Sequence, residues 1–330
     1  MRRRLLLSTW VIVATGIALA IPPAVLSQGS VPPAPRNLEE FDEMFTELSN
    51  WGRWGEDDQL GTINLVTAAK TREAAGLVKE GRSVSLSHNP IAESGLPDNP
   101  FSTFALQMGP GFMSDTIRFD YHGYVTSHID ALCHFSYRGS LYNGVAIGAN
   151  TAQGCGKLGI EALKNGVITR GVLIDIPRLR GVPYLEPGEP VYTEDIEAWE
   201  QQAGVKVTSG DAVILYTGRW ARRADVGPWR LPGPVAGFHV SVGPWLRQRD
   251  VAIVGSDAAT DVTPARFDGL YEPLHHFIMA GLGAPILDAL DLESLAQTAA
   301  SLNRWEFMLT VAPIPVTGGT GGPVNVLATF

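Results

Sequence analysis

The sequence predicts one α/β domain, and two observations carry that prediction. Short runs rich in Val, Ile, Leu and Tyr, bounded by turn residues, read as buried strands at Ser83–Ser87, Gly171–Ile176, Asp211–Thr217 and Val251–Gly255. Between and around them, apolar residues recur at helical spacing at Leu38–Leu48, Thr67–Val78, Gly159–Asn165, Thr193–Gln202, Ser241–Arg249, Pro273–Gly281 and Leu292–Leu302. Strands and helices therefore intermix along the chain, which is the α/β signature. No internal repeat and no low-complexity linker divides residues 38–330.

Taken in order, the chain opens with Met1-Arg2-Arg3-Arg4, an apolar run from Leu5 to Ile21, then Pro22-Pro23 and small residues at Ala24, Ser27 and Gly29. Basic, apolar and small-residue regions in that order are a secretory signal, assigned to residues 1–27, and the folded part is expected to be exported, periplasmic or secreted. An uncleaved membrane anchor is the competing reading, since the apolar run approaches the ~17 residues that a spanning helix needs; after cleavage no stable membrane span is expected. Residues 28–37, rich in Pro, Ser and Gly at their start, read as a flexible lead-in. Leu38–Leu48 and Thr67–Val78 are short helices, the second with Thr67 as its N-cap. Between them Trp51-Gly-Arg-Trp54-Gly55-Glu-Asp57-Asp58-Gln-Leu-Gly61-Thr-Ile-Asn64 holds too many Gly, Asp and Asn residues for regular structure.

With 330 residues and 45% hydrophobic content, the chain can bury a sizeable core. Its 25 basic and 34 acidic residues give a net charge of -9, against a general phosphate-backbone binder, so no nucleic-acid partner is expected. A small-molecule substrate is expected instead. Cys133 and Cys155 are the two cysteines. An exported chain permits their pairing, but the reading favoured here is a buried free thiol at Cys133.

Five of the seven histidines fall in two short segments, His122, His128 and His134 in one and His275 and His276 in the other. On an extended strand, residues two apart project from the same face, so His128 and Asp130 would stand side by side as two ligands of a divalent cation. Mixed nitrogen and oxygen donors suit zinc, manganese or ferrous iron. His134 could reach the same cavity as a general base if the chain turns after Ala131.

The string His128-Ile-Asp130-Ala-Leu-Cys-His134-Phe135, with Tyr137-x-Gly139-x-Leu141-Tyr142-Asn143-Gly144 after it, resembles the metal-binding core of the cyclase family that includes kynurenine formamidase and isatin hydrolase. Trp54–Asn64, Gly210–Gly218 and Pro313–Pro323 carry further likeness, so the resemblance spans nearly the whole mature chain. It implies a swivelling β/β/α fold in a homodimer or homotetramer, metal ligation by His128 and Asp130, and His134 as catalytic acid/base. The family pattern His-x-Gly-Thr-His-x-Asp-x-x-x-His has a further ligand four residues before the second histidine, and here that position is Tyr124. Three arrangements stay open: Tyr124 replaces the ligand, His122 reaches in through a bulge, or fewer protein ligands and more water serve. A tyrosinate is costly, its ordinary pKa being ~10. Tyr124 is otherwise expected to touch substrate.

The resemblance also implies a later histidine and an acidic residue, met here by His275 or its neighbour His276 and by Asp288, where the formamidases have glutamate. His275 is the preferred ligand, leaving His276 beside the substrate. Gly318-Gly-Thr-Gly-Gly322 lacks the Lys-Ser/Thr ending of a phosphate loop and reads as a tight loop that closes on the site or supports a subunit contact. No Gly-x-Ser-x-Gly elbow occurs. Trp51, Trp54, Trp220 and Trp229 fit an aromatic-lined pocket and buried structural roles equally well. The activity implied is hydrolysis of a formamide, lactam or ester by metal-activated water, with zinc or manganese as cofactor. The alternatives are a metal-dependent cyclase or dehydratase acting on a carbonyl compound and a non-catalytic periplasmic ligand-binding protein.

Overall fold

Val167–Asp175, Ala212–Tyr216, Ile253–Ser256 and Ile286–Asp288 are strands whose apolar stretches are buried on both faces, as strands covered on two sides must be. In the computed structural model, which describes residues 34–89, 95–99, 105–109, 111–116 and 120–330, these four pair in parallel in that order. The proposed signal, residues 1–27, lies outside the described residues, as does the start of the lead-in. Among the described residues no helix is long and apolar enough to cross a membrane.

The four strands form the centre of a nine-stranded sheet. On one side Glu306–Val311, Leu327–Thr329 and Ser83–Ser85 add antiparallel; on the other His128–Asp130 and then Gly321–Pro323 do so. This mixed sheet with its helices is the expected α/β fold. Leu38–Leu48 forms because Asn37 caps it, accepting from Glu40 N–H at 2.9 Å, and because Phe41, Met44 and Phe45 fall on one buried face. Thr67 caps Ala68–Ala75 in the same way. Thr193–Ala203 packs on the sheet through Trp199, whose indole donates to Leu173 O at 2.8 Å.

Three expectations change. Gly159–Asn165 holds only one 3-10 turn, Ile160–Leu163, because Gly159 precedes it in extended conformation and Gly166 takes positive φ just beyond it. Pro273–Gly281 starts as a helical turn, Pro273–His275, and widens into a π-helix over His276–Leu282. Cys133 is not a free thiol: it is bonded to Cys155, their Cα atoms 6.3 Å apart. The hairpin of Asn150–Thr151 and Gly154–Cys155 folds back beneath the turn after Asp130, with Asn150 Nδ2 donating to Cys133 O at 3.0 Å, and so brings the two thiols together.

Candidate metal centre

The site starts at the antiparallel pair of His128–Asp130 with Ile286–Asp288. Its register sets Asp288 opposite His128 and Ile286 opposite Asp130, so the three polar side chains reach one cavity at the carboxyl end of the Ile286–Asp288 strand, where open α/β sheets bind ligands. Gly321 pairs with Asp130 from the other side. A Cβ there would stand 2.3 Å from Ile129 O and 3.2 Å from His122 Cε1, so only glycine lets the strands approach this closely.

The donor atoms gather in two sets that share Asp130. His122, Asp130 and His134 form one, and His128, Asp130 and Asp288 the other; within each set the atoms lie within 4.8 Å of one another. His122 Nδ1 is 2.9 Å from Asp130 Oδ1 and His128 Nε2 is 3.5 Å from it. Asp130 Oδ1 is nevertheless buried without a properly directed hydrogen bond. Electron-pair donors that converge without pairing are arranged as ligands, and the residues present fit a divalent cation. His128 Nδ1 donates to Thr126 O at 2.8 Å, which leaves Nε2 facing the carboxylate as the lone-pair nitrogen. Burial opposes ionisation of Asp130, but the charge of the His128 ring and the close approach of His122 outweigh it and hold the carboxyl below its ordinary range.

Of the two side chains considered at the upstream position, His122 is the one whose ring comes within reach of Asp130. His122 reaches Asp130, and its Nε2 sits 2.8 Å from Thr320 Oγ1 of the glycine-rich loop. Tyr124 instead lines the cavity wall. Burial, and then the charge of Glu272, push its phenol well above the ordinary value, so it stays protonated. The chain turns after Ala131, His134 N–H donating to Ala131 O at 2.8 Å, and the His134 ring stacks on His122 with centroids 3.7 Å apart. Burial lowers the His134 imidazole to about 4, against the opposing pull of Asp130, so the ring is neutral at pH 7.

His275 faces Asp288, Nε2 to Oδ2 at 3.2 Å, and donates from Nδ1 to Asp261 Oδ2 at 2.7 Å. Burial works against its proton, yet the bonds to Asp261 and Asp288 raise it well above the ordinary histidine value. His276, expected beside the substrate, is not among the residues that line the cavity; its Nδ1 donates to Ser136 O at 2.8 Å, because successive helical residues face apart. Of the four tryptophans considered for the pocket, none lines it.

The cavity holds about 320 Å³, and besides the donor residues its walls include Tyr124, Phe135, Leu231, Pro232 and Glu272. Sequence reasoning missed Asp261, Glu272, Thr320 and Arg219. Asp261 accepts from the backbone N–H of Leu274 at 2.8 Å and of His275 at 3.0 Å, which fixes the helical turn that presents His275. Buried Arg219 donates to the Tyr124 carbonyl and holds the segment between His122 and His128. The two aspartates Asp257 and Asp261, with Thr260, closely following the buried strand Ile253–Ser256 were the available signal for Asp261.

The family described as "Putative cyclase" matches residues 62–261, more than half of the chain and all of the first donor set. The chain belongs to this cyclase family. A crystal structure described as a novel cyclase is similar to it with a TM-score of 0.77 and 30% identity, over 87% of this chain and 99% of that one. Isatin hydrolase A from Ralstonia solanacearum (TM-score 0.51, 20% identity, 79% of this chain and 95% of that one) and from Labrenzia aggregata (0.52, 21%, 77% and 94%) share the fold. No curated protein matches. The match to the cyclase family ends at Asp261, short of His275 and Asp288, so the second half of the site rests on its own geometry.

Proposed function

We propose that this cyclase-family chain is a metal-dependent hydrolase that opens a cyclic or linear amide, such as a lactam or formamide, or an ester. One observation carries the reading: buried Asp130 is shared by two donor sets, and its Oδ1 faces imidazole nitrogens without a directed hydrogen bond. The two isatin hydrolases that share the fold support it.

His122, His128 and Asp130 would hold a zinc or manganese ion, with Asp288 and His275 completing the same site or a second one. When bound, such an ion polarises a carbonyl and brings the pKa of water toward ~7. His134, neutral because burial holds it at about 4, takes the proton from the attacking water and returns it to the departing nitrogen or oxygen. Tyr124, kept protonated by burial, offers a hydrogen bond to the substrate from the wall. Phe135, Leu231 and Pro232 give a ring-sized substrate an apolar surface and thin the water around the reacting carbonyl. Export and assembly as a homodimer or homotetramer belong to the same proposal; the disulfide supports export, since such bonds persist outside reducing compartments.

The test is metal per chain by elemental mass spectrometry with Asp130→Ala as control, followed by a panel of N-formylanilines, isatin and phenyl esters. One or two divalent ions, lost in the variant, with products that have gained water, are expected. Absence of metal from replete protein sinks the mechanism, and products that have lost water would move the chain to cyclase or dehydratase chemistry.

A further inference from the structure

The Cys133–Cys155 bond takes no part in the chemistry above, yet it closes a ring of contacts around the site. Cys133 directly precedes His134 in the turn that His134 N–H and Ala131 O close. Across the disulfide, Cys155 N–H donates to Gly318 O at 2.8 Å. From Gly318 the glycine-rich loop runs to Thr320, whose carbonyl accepts from Ala131 N–H at 2.9 Å and whose hydroxyl lies 2.8 Å from His122 Nε2. The ring closes where the His122 and His134 imidazoles stack, 3.7 Å between centroids and 8° from parallel. Apart from the peptide chain, every link in it but one is a single hydrogen bond or a ring contact, each of which exchanges readily with water. The disulfide is the one link that does not.

We propose that the Cys133–Cys155 disulfide is a positioning bond of the active site, which fastens the His134 turn to the loop that holds His122 and so keeps the two imidazoles in register over Asp130. A bond that merely stapled the fold would shift melting and leave the two rings alone. A positioning bond moves them: a displacement of about 1 Å at a reacting group costs ~100-fold in rate, and loosening the support of a metal ligand costs ~10- to 100-fold in metal affinity. The kinetic part of the proposal rests on the hydrolase reading, whereas the metal-binding part does not.

The experiment compares the full-length protein with its Cys133→Ser/Cys155→Ser variant at a temperature well below both melting points. Cobalt(II) is the probe, its affinity measured by titration and its ligand field by visible absorption. Expected are cobalt binding weakened about 10-fold with an altered spectrum, and, on whichever panel substrate the unaltered protein turns over, a fall in kcat of about 10- to 100-fold with little change in KM. In a His134→Ala background, removal of the disulfide should cost kcat less than it does in the unaltered protein. Unchanged cobalt affinity and spectrum, or a kcat loss that adds in full to that of His134→Ala, would overturn the proposal. If the unaltered protein turns over no panel substrate, the hydrolase reading fails while the cobalt arm still decides this one. Should the serine variant not fold, the folded protein is reduced with dithiothreitol, one dithiol consumed and two thiols formed per bridge. Cobalt affinity must then fall, and must return when glutathione disulfide re-forms the bridge; otherwise the proposal is wrong.

Discussion

Asp261→Asn isolates the support of His275 from the ligands themselves. Asp261 Oδ2 accepts from His275 Nδ1 at 2.7 Å and from His275 N–H at 3.0 Å, while Oδ1 accepts from Leu274 N–H at 2.8 Å. Asparagine has one acceptor oxygen. If it occupies the Oδ2 place, its amide NH2 opposes the buried Leu274 N–H; if it occupies the Oδ1 place, it opposes two His275 donors. Either way at least one buried donor loses its partner, about 1–3 kcal/mol, and the remaining bonds lose charge assistance, about 1 kcal/mol each. The sum is about 3 kcal/mol, which for a domain of this size lowers Tm by roughly 5 °C. The assays are calorimetric melting of the metal-free protein and metal titration against a competing chelator. Because the carboxylate also orients His275, divalent-metal affinity should fall ~10- to 100-fold. Metal-free Tm and metal affinity both equal to those of the unaltered protein would refute the placement of Asp261 behind His275.

Three further outcomes follow from the same geometry. His134→Ala should retain its metal by elemental mass spectrometry while kcat falls ~100-fold or more; loss of metal with it would make His134 a ligand. Gly321→Ala must accommodate a Cβ at 2.3 Å from Ile129 O and 3.2 Å from His122 Cε1, so thermal melting should show a loss of about 1–3 kcal/mol, and cobalt titration a weaker site. Burial raises Glu272 to about 7 from an ordinary 4.5, so the metal-free folded protein binds a proton near neutrality that the unfolded chain does not. This contribution to stability is present below about pH 4.5 and is lost as pH rises through about 7; denaturant melts of Glu272→Gln across that window should show a flatter pH profile than the unaltered protein.

The parts of the fold that were legible in the sequence are those whose pattern is local. Leu38–Leu48 matches its reading because Asn37, Phe41, Met44 and Phe45 each announce the helix within one turn. Three of the four parallel strands were visible as apolar runs because burial on both faces removes any need for polar residues inside the sheet, whereas Ile286–Asp288, three residues long, was not assigned. The helix Arg219–Val226 was missed for the opposite reason: among its eight residues only Arg219 and Trp220 are buried, and an arginine is not read as core. Glu306–Val311 shows the alternation a half-buried strand requires, with Phe307, Leu309 and Val311 inward, and could have been assigned on that pattern.

At the site the division is between residues that share a segment and residues that meet only through the sheet. His128, Asp130 and His134 were readable because strand periodicity and one turn relate them. The choice between His122 and Tyr124 was not, since it depends on Thr320, a loop residue far along the chain that meets the His122 ring only because Gly321–Pro323 pairs with His128–Asp130. Asp261 is silent for the same reason: its partners are the backbone of Leu274 and His275, and nothing in a side-chain pattern records a bond to backbone. His275 and His276 differ by a single helical step, and the step is decided by Asp261 and Asp288 on one side and the Ser136 carbonyl on the other. The cysteine pair belongs to this class too. Two thiols in one chain leave pairing open, and what closes it is the hairpin that carries Asn150 and Cys155 beneath the His134 turn. The motif thus specifies which donors exist, whereas the sheet register and the glycine-rich loop specify where their lone pairs point, and it is the second that a metal site requires.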